Sequence, residues 1–194
     1  MEPLKINIAT PAEVEDCLAI LTLAFCSDPA FRWMFPQPSQ YAQGLPLFAQ
    51  AFGGEAFHQA TAFYTEEFGA VALWLPPNTQ PNESALMAFI QQGVEESQQL
   101  ALDSILEQLD GYHPQVPHWH LALIGTDPIC QGQGYGSALL AHTLRICDQQ
   151  QELVYLEATN ARNVALYQKH GFEMLGTVQV GNSPILYPML RHPQ

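Results

Sequence analysis

The residues that could do chemistry gather in the last third of this 194-residue chain. Asp127-Pro128-Ile129-Cys130-Gln131-Gly132-Gln133-Gly134-Tyr135-Gly136-Ser137 sets three glycines at alternate positions. Without Cβ atoms, successive backbone N–H groups can converge on an anion, and a helix starting behind them adds the positive end of its dipole. Such a loop suits a phosphate; a turn that needs glycine for geometry alone is the alternative. A P-loop is excluded because no lysine follows the glycines. A Rossmann fingerprint would use Gly132, Gly134 and Ser137, with Glu157 as the distal acid. Ser137 suits the third place poorly, and too little chain remains for a doubly wound sheet. His118 and His120 stand two apart, so on a strand both point to one face. A neutral imidazole there can take a proton near pH 7. As a zinc pair they lack a third ligand at metal-site spacing, so no metal is expected.

Charge and composition narrow the partners. Six Lys and Arg against 19 Asp and Glu give a net charge of −13. That field repels polyanions, so neither nucleic acid nor an anionic membrane is an expected partner. At 47% hydrophobic and 13% charged residues, the chain is too apolar for disorder and long enough for one domain with a sizeable core. Cys17, Cys26, Cys130 and Cys147 form no C-x-x-C pair and are expected as reduced thiols of a cytoplasmic protein. Met1-Glu2-Pro3-Leu4-Lys5-Ile6 lacks the pattern of a secretory leader, and apolar runs such as Gly69–Leu75 fall short of a membrane span. A monomer or homodimer is expected.

The elements that must position these residues follow from pattern. Lys5–Ala9 reads as a strand, and Thr10-Pro11-Ala12-Glu13 as the start of a helix that carries Val14, Cys17, Leu18 and Leu21 on one face. Asp28–Pro36 reads as an aromatic, turn-rich stretch, and Phe48–Phe57 as a second helix. Thr61–Thr65 and Ala70–Leu75 read as strands joined by a turn, and Asn82 to about Leu109 as one acidic helix. Then come strand His118–Thr126, the glycine loop, a helix from Ser137 to about Gln149, strand Leu153–Ala158 and a short helix Ala161–His170 stopped by Gly171. Phe172–Val180 and Ile185–Leu190 close as strands. The predicted fold is α/β: a mixed, mostly antiparallel twisted sheet with a central parallel pair, flanked by helices.

Gln131-x-x-Gly134-x-Gly136, between a strand and a helix, resembles the acyl-CoA signature of the GNAT (general N-acetyltransferase) superfamily. Asn163-x-x-x-Tyr167-x-x-x-Gly171-Phe172 resembles its second signature, about 30 residues on. Gly136-Ser137-Ala138-Leu139-Leu140 and Leu156-Glu157-Ala158-Thr159-Asn160 are most similar to the puromycin N-acetyltransferase-like branch. The likeness covers residues 118–190, and implies a single domain whose acceptor side is residues 1–117.

The resemblance implies acetyl transfer from acetyl-CoA, as co-substrate, to a primary amine by direct attack through a tetrahedral intermediate. It implies pyrophosphate on Gln131, Gly132, Gln133, Gly134, Tyr135, Gly136 and Ser137, pantetheine along Ile124, Gly125 and Thr126, and Asn163 on the pantetheine arm. Tyr167 matches the general acid, since a phenol is protonated at pH 7. His120 and Glu157 are rival bases, with His118 behind them. Phe31, Trp33, Phe35, Tyr64 and Trp74 are expected to wall the acceptor pocket. Gln131 stands where many relatives carry Arg, which leaves Arg145, Arg162 and Lys169 as the basic groups near in sequence for the 3′-phosphate. A small cationic or amphipathic amine is the expected substrate. A protein N-terminus or lysine as acceptor, or a noncatalytic acyl-CoA sensor, are the alternatives.

Overall fold

A computed structural model describes residues 4–194; the leader reading at Met1-Glu2-Pro3 lies outside them. Strand β1 (Ile6–Ile8) leads into helix α1 (Val14–Ala24), where the Thr10 backbone N–H donates to the Glu13 carboxylate at 2.7 Å. Helix α2 (Pro29–Met34) falls within the stretch expected as turns. Asp28 starts it, accepting from the N–H groups of Ala30 and Phe31. Helix α3 (Pro38–Gly53) is longer than Phe48–Phe57 because Pro46 inside it reads, in sequence, as a break. A single turn of helix, α4 (Glu55–His58), follows.

Strands β2 (Ala62–Thr65) and β3 (Ala70–Leu75) form the expected hairpin. The long acidic helix is two helices, α5 (Glu83–Gly93) and α6 (Glu96–Asp110), because Val94 takes an extended conformation and buries its side chain. Strand β4 (His118–Thr126), helix α7 (Tyr135–Gln150), strand β5 (Leu153–Ala158) and helix α8 (Ala161–Lys169) follow the predicted order. Gly171 then takes φ +85°, the left-handed stop expected of it. Only Glu173–Met174 of Phe172–Val180 is strand (β6), with one further bridge from Val178 to Leu186. Pro188 of β7 (Tyr187–Arg191) accepts from the Leu175 N–H but has no N–H to return, so the ladder ends there.

The seven strands run in the order β1-β2-β3-β4-β5-β7-β6, with β4 and β5 the parallel pair and the other pairings antiparallel. The sheet divides the core in two. Val71 and Leu73 of β3 face α1 and α3, while Ala70, Ala72 and Trp74 face α7. Buried Arg191 closes the C-terminal end, donating to both carboxylate oxygens of Asp148 on α7 and to the His170 carbonyl. No helix among the described residues is long and apolar enough to cross a membrane.

Candidate functional site

Two irregularities in strand pairing make the site. β4 and β5 pair only from His118↔Leu153 to His120↔Tyr155; beyond that they part. Ala122 is an extra residue in β4 against β3, where Leu73 faces Leu123 but Trp74 faces Leu121. Such a bulge bends and twists its strand. The splayed strands open a cavity of about 160 Å³. Leu121–Ile124 line one side, and Leu156, Glu157, Thr159, Asn163 and Tyr167 the other. Past His120, the β4 edge that faces β5 is not paired by a strand, so its backbone groups need partners from elsewhere.

Glu157 presents its carboxylate to this cavity, and His120, 6% exposed, stands against it. His120 Nε2 donates to Glu157 Oε2 at 2.8 Å. Burial pushes the Glu157 carboxyl up, but the charge and hydrogen bond of His120, then the His113 charge and the Tyr155 hydroxyl, outweigh it and hold the group below its usual range. Glu157 is therefore an anion at neutral pH, fit to hold an ammonium group and, with His120, to take its proton. Tyr167 lies across the same cavity, 6% exposed, with its ring edge-on to Phe172. Burial, and then the Asp28 charge, push its phenol up, so it stays protonated and can only give a proton. Buried Asp28 in turn accepts from the Thr159 hydroxyl at 2.6 Å, tying α2 to the end of β5 beside the cavity.

The glycine loop lies at the C-terminal end of β4. Gly132 and Gly134 take φ +74° and +89°, a region side chains rarely adopt, and an added Cβ at either would meet nothing. Conformation, not crowding, requires glycine there. No side chain caps the first turn of α7, leaving its N–H groups open to an anion. Residues 131–134 are exposed, with Gln131 reaching back to the Thr126 carbonyl and Gln133 to the Ile129 carbonyl. Tyr135, Gly136 and Ser137 form the first turn of α7, and Ser137 Oγ shares a 2.7 Å hydrogen bond with His170 Nε2. Of the strand-end residues, Ile124 lines the cavity and Thr126 Oγ1 approaches Gly136. Gly125 has a packing reason: a Cβ there would stand 2.6 Å from that of Ala24 on α1. Asn160, not Asn163, caps α8, which leaves the Asn163 side chain at the cavity wall free for a ligand. Arg145, Arg162 and Lys169 are exposed on α7 and α8.

The five aromatic residues expected around an acceptor separate. Phe31 and Trp33 line the cavity. Phe35 points instead to a different groove between α3 and α5, edge-on to Phe89. Tyr64 stacks on Phe68 at the β2 end of the sheet. Trp74 is fully buried on the α7 face with Trp119, because strand alternation sends it away from the acceptor side. Phe25, Phe48 and Phe52, with Ile105 and Leu109 of α6, complete the apolar wall. Sequence reading passed over these five; only their helical spacing marks them, and that spacing equally marks plain core. His118 and His120 do share one face of β4, but His118 Nδ1 donates to the Val116 carbonyl and its ring packs on Tyr155. The structure also adds His113, from the turn after α6, to the group: its ring packs on His118, His120 and Tyr155.

The sequence profile of the acetyltransferase (GNAT) family matches residues 105–172. A Corynebacterium glutamicum structure described as histone acetyltransferase HPA2 and related acetyltransferase is 26% identical, covers 99% of this chain and 97% of its own, and superposes with a TM-score of 0.71. This is the GNAT fold. Another GNAT-fold neighbour, the arylalkylamine N-acetyltransferase 2 of Aedes aegypti, is 13% identical with a TM-score of 0.69, covering 98% of this chain and 99% of its own. Among curated proteins, a mycothiol acetyltransferase of Saccharomonospora viridis is 39% identical over 64 residues, 31% of this chain and 21% of its own. An uncharacterized N-acetyltransferase of Schizosaccharomyces pombe is 29% identical over 79 residues, 39% of this chain, so the matched stretches span only 32% and 21% of these two relatives. The GNAT superfamily is thus supported from both sequence and fold.

Proposed function

We propose that this chain is an N-acetyltransferase that uses acetyl-CoA to acetylate the primary amine of a small amphipathic molecule. The observation that carries the reading is the convergence of Glu157 and Tyr167 in one apolar cavity between strands that have parted. The residues suit the co-substrate: a free strand edge on β4 offers backbone partners to the amide groups of a pantetheine arm, and open N–H groups behind Gly132 and Gly134 suit its pyrophosphate. Acetyl-CoA, when bound, supplies the acetyl thioester.

The chain's own groups supply the rest. Phe31, Trp33 and Phe48 enclose an apolar body and exclude water, which strengthens charge interactions inside. Glu157 holds the ammonium, and the Glu157–His120 pair takes its proton, so the amine lone pair becomes free to attack. Tyr167 donates its proton to the departing thiolate. With the carboxylate as the charged group of a mostly apolar lining, a compact body bearing one amine fits better than a chain of repeated charges. An arylalkylamine, the class named for the Aedes aegypti neighbour, has that form. The likeness of Gly136–Leu140 to puromycin N-acetyltransferase-like enzymes agrees with an amphipathic acceptor.

Release of free thiol from acetyl-CoA, followed with a panel of acceptors, tests this. The expected order is 2-phenylethylamine well above spermidine and above a peptide with a free N-terminus. A fastest rate with the polyamine or the peptide would overturn the acceptor class; no release with any would overturn the enzyme.

A further inference from the structure

Histidines 113 and 120 and Glu157 come from three separate segments: the turn after α6, strand β4 and strand β5. One ligand atom from each lies within 4.8 Å of the others. Zinc bound at ~2.0–2.2 Å to N and O donors in a tetrahedron holds them about 3.3 Å apart. His120 Nε2 and Glu157 Oε2, at 2.8 Å, would part by about half an ångström and give up the proton between them, while the His113 ring closes in on both. Beside them lies a fully buried hydroxyl: Tyr155 Oη, at 0% exposure, faces the Glu157 carboxylate without closing a hydrogen bond of ordinary geometry to it. A buried polar atom left without a partner is costly, and a cation with its water would supply one. Glu157 opens on the cavity, which gives an entry path.

We propose that His113, His120 and Glu157 form a site for a divalent transition-metal ion such as zinc, whose occupation blocks acetyl transfer. The site stands on these three ligands alone; the inhibition rests on the reading of Glu157 and His120 as the groups that receive the amine. The metal takes the carboxylate and imidazole lone pairs that would hold the ammonium and accept its proton. Three protein ligands leave one position open, for water or for the amine itself. A net charge of −13 favours the arrival of any cation.

The binding test needs no activity. Titration with zinc chloride by calorimetry, and with cobalt(II) followed by its visible d–d absorption, is expected to give one site per chain with a tetrahedral spectrum. His113→Phe keeps the ring stack on Tyr155 and removes the ligand; a thermal melt confirms its fold. Loss of an outer-shell partner weakens metal binding ~10–100-fold, so loss of this direct ligand should cost at least that. In the wild type the ratio of rates with and without zinc should fall well below one, and in His113→Phe return close to one. Absence of zinc binding, or zinc binding unchanged in His113→Phe, overturns the site. Binding lost in His113→Phe with wild-type turnover insensitive to zinc overturns the inhibition and, with it, the role given to Glu157 and His120. Failure of the enzyme reading would appear separately, as a chain that binds cobalt but releases no thiol from acetyl-CoA.

Discussion

The two walls of the central cleft are built by different means. On the glycine-loop side, the proposed function depends on backbone: φ angles of +74° and +89° at Gly132 and Gly134, uncapped N–H groups on α7, and an unpaired edge of β4. On the side proposed for the acceptor it depends on side chains brought from far apart, with Phe31 of α2, Phe48 of α3 and Ile105 of α6 meeting Glu157 of β5. A backbone site constrains a few neighbouring residues tightly. A side-chain pocket spreads its constraint thinly over the chain, and individual members can be exchanged.

The comparison is sharpest if damage on one side leaves the other intact. Glu157→Gln keeps the shape and hydrogen-bonding reach of the side chain but removes the charge. Turnover should fall ~10³-fold, within the range general acid–base groups contribute, while acetyl-CoA affinity by calorimetry stays the same. An equal loss of acetyl-CoA affinity would mean the two walls are one site. Tyr167→Phe, which removes only the hydroxyl, should lower kcat about 100-fold, again with unchanged acetyl-CoA binding. Because burial raises the Tyr167 phenol, the protonated form persists to higher pH, and the alkaline limb of the wild-type profile should lie above ~10, the ordinary tyrosine value. Retained turnover in Tyr167→Phe would remove it from the acid role. The smallest effect belongs to the backbone side. Gly134→Ala forces a side chain into a left-handed conformation at a cost of roughly 1–2 kcal/mol. The KM for acetyl-CoA should rise about tenfold with kcat and the amine KM little changed; a shift in the amine KM instead would break the division.

This division also explains what could be read in advance. The glycine loop and the left-handed stop at Gly171 follow from local chemistry, Asn163 and Tyr167 from the resemblance to the GNAT signatures, and the central parallel pair from the order of elements. The apolar cavity proposed for the acceptor is only half legible in the sequence. Phe31 and Trp33 reach it, but Trp74 is carried to the opposite face by strand alternation and Phe35 to a different groove. The Ala122 bulge changes which β4 residues share a face, and nothing in the alternation of His118–Thr126 marks it. Pro46 concealed the first half of α3, and the break at Val94 was hidden in a polar helical pattern. His113 joins His120 through tertiary packing alone, so no spacing in the sequence groups the two.

The loop's reliance on backbone donors has a consequence for rates. A chain with 6 basic residues and a net charge of −13 repels an approaching polyphosphate over many ångströms, whereas peptide N–H groups attract it only at contact. Dissolved salt screens the first and scarcely reaches the second. For such a ligand, ionic strength acts as an accelerator of capture rather than a solvent for the complex: association quickens as salt rises, and the time spent bound changes little.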